Sequence, residues 1–164
     1  MSCTSAVRIT PRDGARFRIA FEAGERELYA TCLHEYAHSI VAQHFGACGF
    51  VTIQRLHVES GSSRWQGRFQ LFGELDADAW RVVALAGTLA ERLAEGRATD
   101  VARLDGLLHA PGALSSCDAS LAQGFDRSHV ATCIEVLCNE WTAIGRDAFE
   151  RAAEVISRRA LGPW

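Results

Sequence analysis

The residues with the clearest chemical purpose are His34-Glu35-Tyr36-Ala37-His38, an H-E-x-x-H sequence inside an apolar, helix-periodic run from about Arg26 to Phe45. Two imidazoles four positions apart share one helix face, separated by about 6 Å along the axis, so a ring nitrogen of each can reach a single Zn²⁺. Glu35 can lean over the same metal without ligating it and take a proton from metal-bound water, the general-base role this spacing serves in metallopeptidases. The pattern specifies only three positions, and an amphipathic helix can also carry two histidines as solvated or hydrogen-bonded residues. The surroundings favour the metal. Tyr29, Leu33, Ala37, Ile40 and Val41 put the motif at the edge of a core, where histidines need partners. A zinc-dependent hydrolase, foremost a peptidase, holding one Zn²⁺ per chain is therefore expected.

Such a helix must be held by other elements. Residues 1–15 form a polar lead with Pro11 and Gly14 and are expected to be flexible, whereas Arg16 to Phe21 alternates polar and apolar side chains with the period of a half-buried strand. The motif helix should stop at Gly46, a natural C-cap residue. From Gly49 to Gly73 the pattern turns extended, with a Gly61-Ser62-Ser63 turn and Gly67 inside the second run. It reads as a hairpin or small meander, either a substrate-side edge strand or a purely structural hairpin. Asp76 or Asp78 can cap a helix from Ala79 to about Glu95, ending at Gly96. Its Ala84, Ala86, Gly87 and Ala90 are small enough for a neighbouring helix to approach closely. Arg97 to Ser116 should give a short helix and a loop, and Ser115 or Ser116 can cap a helix beginning around Asp118 and closed by Gly124. Asp126 caps a long stretch from Ser128 to about Ala160, with Val130, Ile134, Leu137, Trp141, Ile144, Phe149 and Ile156 as its buried stripe and Gly145 as the expected break or kink. These elements predict an α+β, mostly helical single domain spanning residues 1–164.

Composition narrows the function. At 164 residues and 48% hydrophobic content the chain can bury an ordinary globular core. A net charge of -3 argues against nucleic acid as the main partner. All seventeen basic residues are arginines, so there is no P-loop lysine and no Walker-type ATPase in this sequence. No apolar run approaches the roughly 18 to 20 residues that cross a bilayer, and Met1 to Pro11 lacks the layout of a signal peptide, which points to the cytoplasm. The six cysteines form no C-x-x-C and are expected as reduced thiols in or near the core. Cys32 and Cys117 stand closest in sequence to the candidate site.

Two histidines are not enough, because a catalytic zinc takes three protein ligands and keeps one position for water. His44 has the spacing of the metzincin signature, H-E-x-x-H-x-x-G-x-x-H. In a continuing helix, however, it lies about 15 Å of rise beyond His34 and on another face. Metzincins turn the chain at the glycine, where this sequence has Val41, a branched residue ill suited to a positive φ.

The order of features has another parallel. The H-E-x-x-H helix, a hairpin with a glycine after it (Phe50-Val51-Thr52-Ile53 to Gln66-Gly67-Arg68-Phe69) and Ala84-Leu85-Ala86-Gly87-Thr88-Leu89-Ala90-Glu91-Arg92-Leu93 together resemble the peptidase domain of FtsH-type ATP-dependent zinc metalloproteases. The resemblance spans about Arg26 to the C-terminus. It is strong at the histidine motif, fair at the Ala-Gly-x-x-Ala-Glu segment and weak elsewhere. In that family a serine- or asparagine-aspartate after the second helix supplies the third zinc ligand. Carried over, the resemblance implies Asp118, in Ser115-Ser116-Cys117-Asp118-Ala119-Ser120-Leu121-Ala122, because a ligand carboxylate needs the stable backbone a helix start provides. Asp105, better spaced after Ala86-Gly87, and Asp100 remain open. Glu91 would ligate in a two-helix gluzincin arrangement, but the resemblance gives it an outer, supporting place.

The family's ATPase module is not in this sequence, so the resemblance implies a stand-alone peptidase-like member. Such an enzyme would cut exposed loops, tails or unfolded chains, unless a partner ATPase or an assembly of copies supplies pulling force. Two rival readings are a non-catalytic, zinc-stabilised interaction module and a zinc hydrolase acting on a small amide. Glu35 speaks against the first, since a structural metal needs no base beside it.

Overall fold

The computed structural model describes residues 23–57, 63–96 and 100–160. The strand expected over Arg16 to Phe21 lies outside them, as does most of the expected turn at Gly61-Ser62-Ser63. The elements are α1 (Ala23–His44), β1 (Cys48–His57), β2 (Ser63–Phe72), α2 (Ala77–Ala94), α3 (Val101–Leu108), α4 (Ser116–Leu121), α5 (Arg127–Asn139) and α6 (Trp141–Ala160). The fold is α+β and mostly helical, with one two-stranded antiparallel sheet among the described residues.

Helix α1 is the central element. Leu28, Cys32, Leu33, Ala37, Val41 and Ala42 bury most of its circumference, and it packs on α2, α6 and the hairpin. It ends where Gly46 adopts a φ of 81°, and α2 ends in the same way at Gly96, with a φ of 69°. The left-handed region is nearly free of strain for glycine alone, so these two residues stop their helices cleanly. Asp76 caps α2 by accepting from the Ala79 N–H, Asp100 caps α3, and Asp126 caps α5 in a capping box with His129.

The hairpin pairs Val51 with Phe69 and Ile53 with Gly67. That register turns the half-buried set Val51, Ile53, Trp65, Gly67 and Phe69 toward α1. Two β2 amides are tied to that helix: the Trp65 N–H donates to Glu27 Oε1 at 3.2 Å, and the Phe69 N–H donates to the Glu35 carboxylate.

The C-terminal stretch differs from the expectation of one long helix broken at Gly145. It divides at Glu140, whose N–H donates to the Val136 carbonyl as the C-cap of α5. Asn139 favours such a helix end over an interior position. Gly145 lies buried inside α6 beside Ile144, so it permits close packing and does not break the helix. The break also changes the phase of the buried stripe. Val130, Ile134, Leu137 and Ile144 are buried as expected, Ala148 and Ala152 complete the stripe, and Trp141, Phe149 and Ile156 are only partly covered. Cys32 and Cys133 are core thiols and Cys138 packs against the core, but Cys48 and Cys117 are exposed, contrary to the expectation for all. Burial pushes the Cys32 thiol up to about 12, which leaves it a poor nucleophile near neutrality.

Candidate metal centre

His34 and His38 point from one face of α1 toward α4, which delivers Asp118. The two Nε2 atoms are 3.1 Å apart, His34 Nε2 is 3.6 Å from Asp118 Oδ2, and His38 Nε2 is 3.6 Å from Asp118 Oδ1. Among the described residues this is the group of three or more His, Cys, Asp or Glu side chains able to converge on one ion, with all three ligand atoms within 4.8 Å of one another. Four ligands at roughly 2.0–2.1 Å in a tetrahedron stand about 3.3 Å apart. The 3.1 Å between the imidazole nitrogens is close to that spacing, and Asp118 faces each histidine with a different oxygen, so two imidazoles and a carboxylate, the donor types Zn²⁺ takes, need only a small closure to meet on one ion.

Each histidine is oriented through its other ring nitrogen. His38 Nδ1 lies 2.6 Å from the Val83 carbonyl and His34 Nδ1 lies 3.1 Å from Glu91 Oε1. A carbonyl and a carboxylate only accept, so both Nδ1 atoms carry the hydrogen and both Nε2 atoms turn toward the common point. Val83, Gly87 and Glu91 recur every four residues on α2 and form the face that meets α1. At Gly87 a Cβ would lie 2.4 Å from His34 Nε2, closer than side chains ever approach. The small-residue run therefore does what its composition predicts, letting α1 come close, and here the helix that approaches carries the histidines.

Asp118 is held by its own helix start. Ser115 is the N-cap of α4, accepting from the Asp118 N–H at 3.1 Å and donating its hydroxyl to Asp118 Oδ2 at 2.7 Å. The helix begins at Ser116, two residues before the expected start, which puts Asp118 inside the first turn. The other carboxylates expected as alternatives are engaged elsewhere. Asp100 caps α3, and Asp105 stands 3.6 Å from His109 and 3.9 Å from Arg127. Glu91 contacts His34 on the ring nitrogen opposite the one that faces Asp118. His44 is exposed at the end of α1, and the helix runs straight through the buried Val41. Cys117 is exposed and is not part of the group.

Glu35 is 9% exposed and is enclosed by β2. A Cβ on Gly67 would lie 2.3 Å from Glu35 Cγ, so only glycine lets the strand pass over this side chain. Burial raises the Glu35 carboxyl above its ordinary range, with His34 and the Phe69 N–H partly offsetting the rise. The Phe69 ring also lies parallel to His38, with centroids 6.5 Å apart. None of the Val83 carbonyl, the Phe69 amide or the Phe69 ring is marked by residue type or spacing. Two of the three are backbone groups or depend on one, so a sequence motif could not have found them.

The two histidines differ in charge. Burial opposes the charged form of His34, but hydrogen bonds to Asp118 and Glu91 outweigh it and push the imidazole up to about 10. His38, buried and beside the positive His34, falls to about 4. Burial raises the Asp118 carboxyl, but His34, His38 and Ser115 outweigh it and hold it below the usual range. In metal-free protein at pH 7 the pair therefore carries one proton beyond the two Nδ1 hydrogens, on His34, and a zinc ion bound there would have to displace it. Calorimetric zinc titrations in buffers of different ionisation enthalpy should report release of about one proton per metal at that pH. The same proton affects the stripped fold. His34 is raised above its ordinary 6.5, so its contribution to stability is fully present below that pH and is lost as the pH rises through about 10.

Among the described residues no helix is long and apolar enough to cross a membrane. Compared with family models and with curated proteins, the chain matches none.

Proposed function

We propose that this protein is a zinc-dependent hydrolase of peptide bonds, with His34, His38 and Asp118 holding one Zn²⁺ and Glu35 as general base. The observation that carries the reading is the convergence of three ligand atoms within 4.8 Å beside a buried carboxylate on the same helix. An adventitious group of histidines would not also have each outer nitrogen committed to an acceptor and each close approach cleared by a glycine. Those supports, together with the Ala-Gly-x-x-Ala-Glu helix and the aspartate at a helix start, favour the likeness to FtsH-type peptidase domains.

Bound zinc would polarise the peptide carbonyl and make the attacking water more acidic. Glu35 takes the proton of that water and returns it to the amine nitrogen of the broken bond, so one water is consumed for each bond cut. Burial raises its carboxyl, which makes it a better proton acceptor than a solvated glutamate. The Phe69 N–H holds Glu35 in place while it does so. Glu91 and the Val83 carbonyl keep the two imidazoles in the ligating tautomer.

Purified protein reconstituted with zinc should hold about one metal per chain and cleave casein or an unstructured peptide, with cleavage lost to chelator and restored by zinc. A zinc content near zero after reconstitution would overturn the reading. Bound zinc with no cleavage of peptides would favour the interaction module, and turnover of small amides alone would favour the other rival.

A further inference from the structure

A groove runs between the C-terminal half of α2 and the wall formed by α3 and the loop after it. It comprises two adjoining cavities of about 260 Å³ and about 420 Å³ that share Arg92, Leu104 and Leu107. Leu104 and Leu108 are buried and, with Pro111, form an apolar floor, while Leu107 is 44% exposed at the rim. Arg92 lines both cavities and Arg103 the larger, and among the described residues no carboxylate lines either. Arg103 makes no ion pair among the described residues, and Arg92 meets only Glu95, at 3.4 Å on the exposed helix surface. Such a surface pair contributes little and exchanges readily with a better partner.

An apolar floor beneath two under-compensated guanidiniums fits an apolar group joined to an anion, and a planar guanidinium matches a carboxylate in particular. The groove is built on the elements that support the metal centre. Thr88 and Arg92 stand on α2 about 100° further round the helix from Gly87 and Glu91, the two residues that meet His34. The opposite wall, ending at Ala113, leads into Ser115 and Asp118. A peptide carboxyl terminus is the apolar carboxylate that the peptidase reading itself supplies, which makes it the occupant in preference to a free fatty acid. The size also fits, since a cavity of about 150 Å³ accommodates benzene and the smaller of these two exceeds that.

We propose that the groove binds the carboxyl-terminal residue of a peptide, its apolar side chain on Leu104, Leu108 and Pro111 and its terminal carboxylate between Arg92 and Arg103. This names a substrate class for the peptidase reading, peptides with an apolar C-terminal residue, and rests on that reading only for what happens after binding. The test measures binding alone, with the full chain carrying Glu35→Gln so that no cleavage intervenes. The probe is a fluorescently labelled tetra-alanine peptide extended by a C-terminal leucine, followed by anisotropy. The free acid should bind, and its C-terminal amide should bind about tenfold more weakly or worse, as expected for loss of a charge-assisted hydrogen bond. Replacing the leucine by aspartate should weaken binding similarly. The exposed substitution Arg103→Gln, and Arg92→Gln, should each erase most of the acid-over-amide preference while leaving zinc content unchanged. Equal binding of acid and amide, or a preference that survives both substitutions, would overturn the proposal. So would binding of hexanoate as tight as that of the peptide, which would make the groove a site for small amphiphiles. None of these failures alters zinc stoichiometry or wild-type cleavage, so they are distinguishable from failure of the metal-centre reading.

Discussion

Glu35→Gln should leave zinc bound and lower peptide cleavage by about 10²- to 10⁴-fold, the usual contribution of a positioned general base. The substitution is nearly isosteric, so it creates no new clash with Gly67, over which the native side chain already fits closely. The amide oxygen of glutamine can still accept from the Phe69 N–H, so the side chain should stay where it is. What it loses is the capacity to hold a proton. Zinc per chain and kcat/KM on one peptide, measured on both proteins, separate the two properties. Equal cleavage by wild type and variant would assign the activity to something other than this centre, and loss of zinc together with activity would make Glu35 a ligand and not a base.

Asp118→Ala should have the largest effect on the metal itself. It removes the one carboxylate that faces both Nε2 atoms and leaves two histidines and water, too few ligands for a firmly held zinc. Loss of an outer partner typically costs 10- to 100-fold in metal affinity, which sets the expectation for Glu91→Gln. Asp118→Ala should exceed about 100-fold in competition with a chelator. Asp105→Ala, Asp100→Ala and His44→Ala should retain zinc as wild type does, because those side chains cap a helix, pair with His109 and Arg127, or face solvent. The order of the series is the test. If Asp105→Ala loses metal most readily, the spacing after Gly87 has outweighed the helix-start geometry. If His44→Ala does, α1 must turn at Val41, where it is now buried and straight.

Much of this arrangement is legible before any folding. The four-residue spacing of His34 and His38 dictates a shared helix face whatever surrounds it. Gly46 and Gly96 mark helix ends because few other residues take a positive φ cheaply, and Asp76 and Asp126 mark helix starts because a short carboxylate satisfies first-turn amides. Ser115 and Asp118 combine in the same way, and that helix start is what favours Asp118 among the aspartates that the family resemblance offers. These are short-range effects, complete within a turn of chain. The misreading at Gly145 has the opposite character. A glycine can break a helix or admit a neighbour into it, and only the surrounding packing distinguishes the two.

The sequence by itself determined which side chains could act: two imidazoles on one face, a carboxylate beside them, small residues on the second helix and several aspartates at helix starts. Tertiary structure alone decided which aspartate stands 3.6 Å from both Nε2 atoms, that Glu91 and the Val83 carbonyl orient the rings, and that Phe69 and Gly67 enclose Glu35. The physical reason is one of range. Spacing along a helix is set by backbone geometry over a few residues. Convergence of Asp118 on residues eighty or more positions earlier depends on how α1, α2, α4 and the hairpin pack, and several of the groups that make the contact are backbone atoms common to every residue.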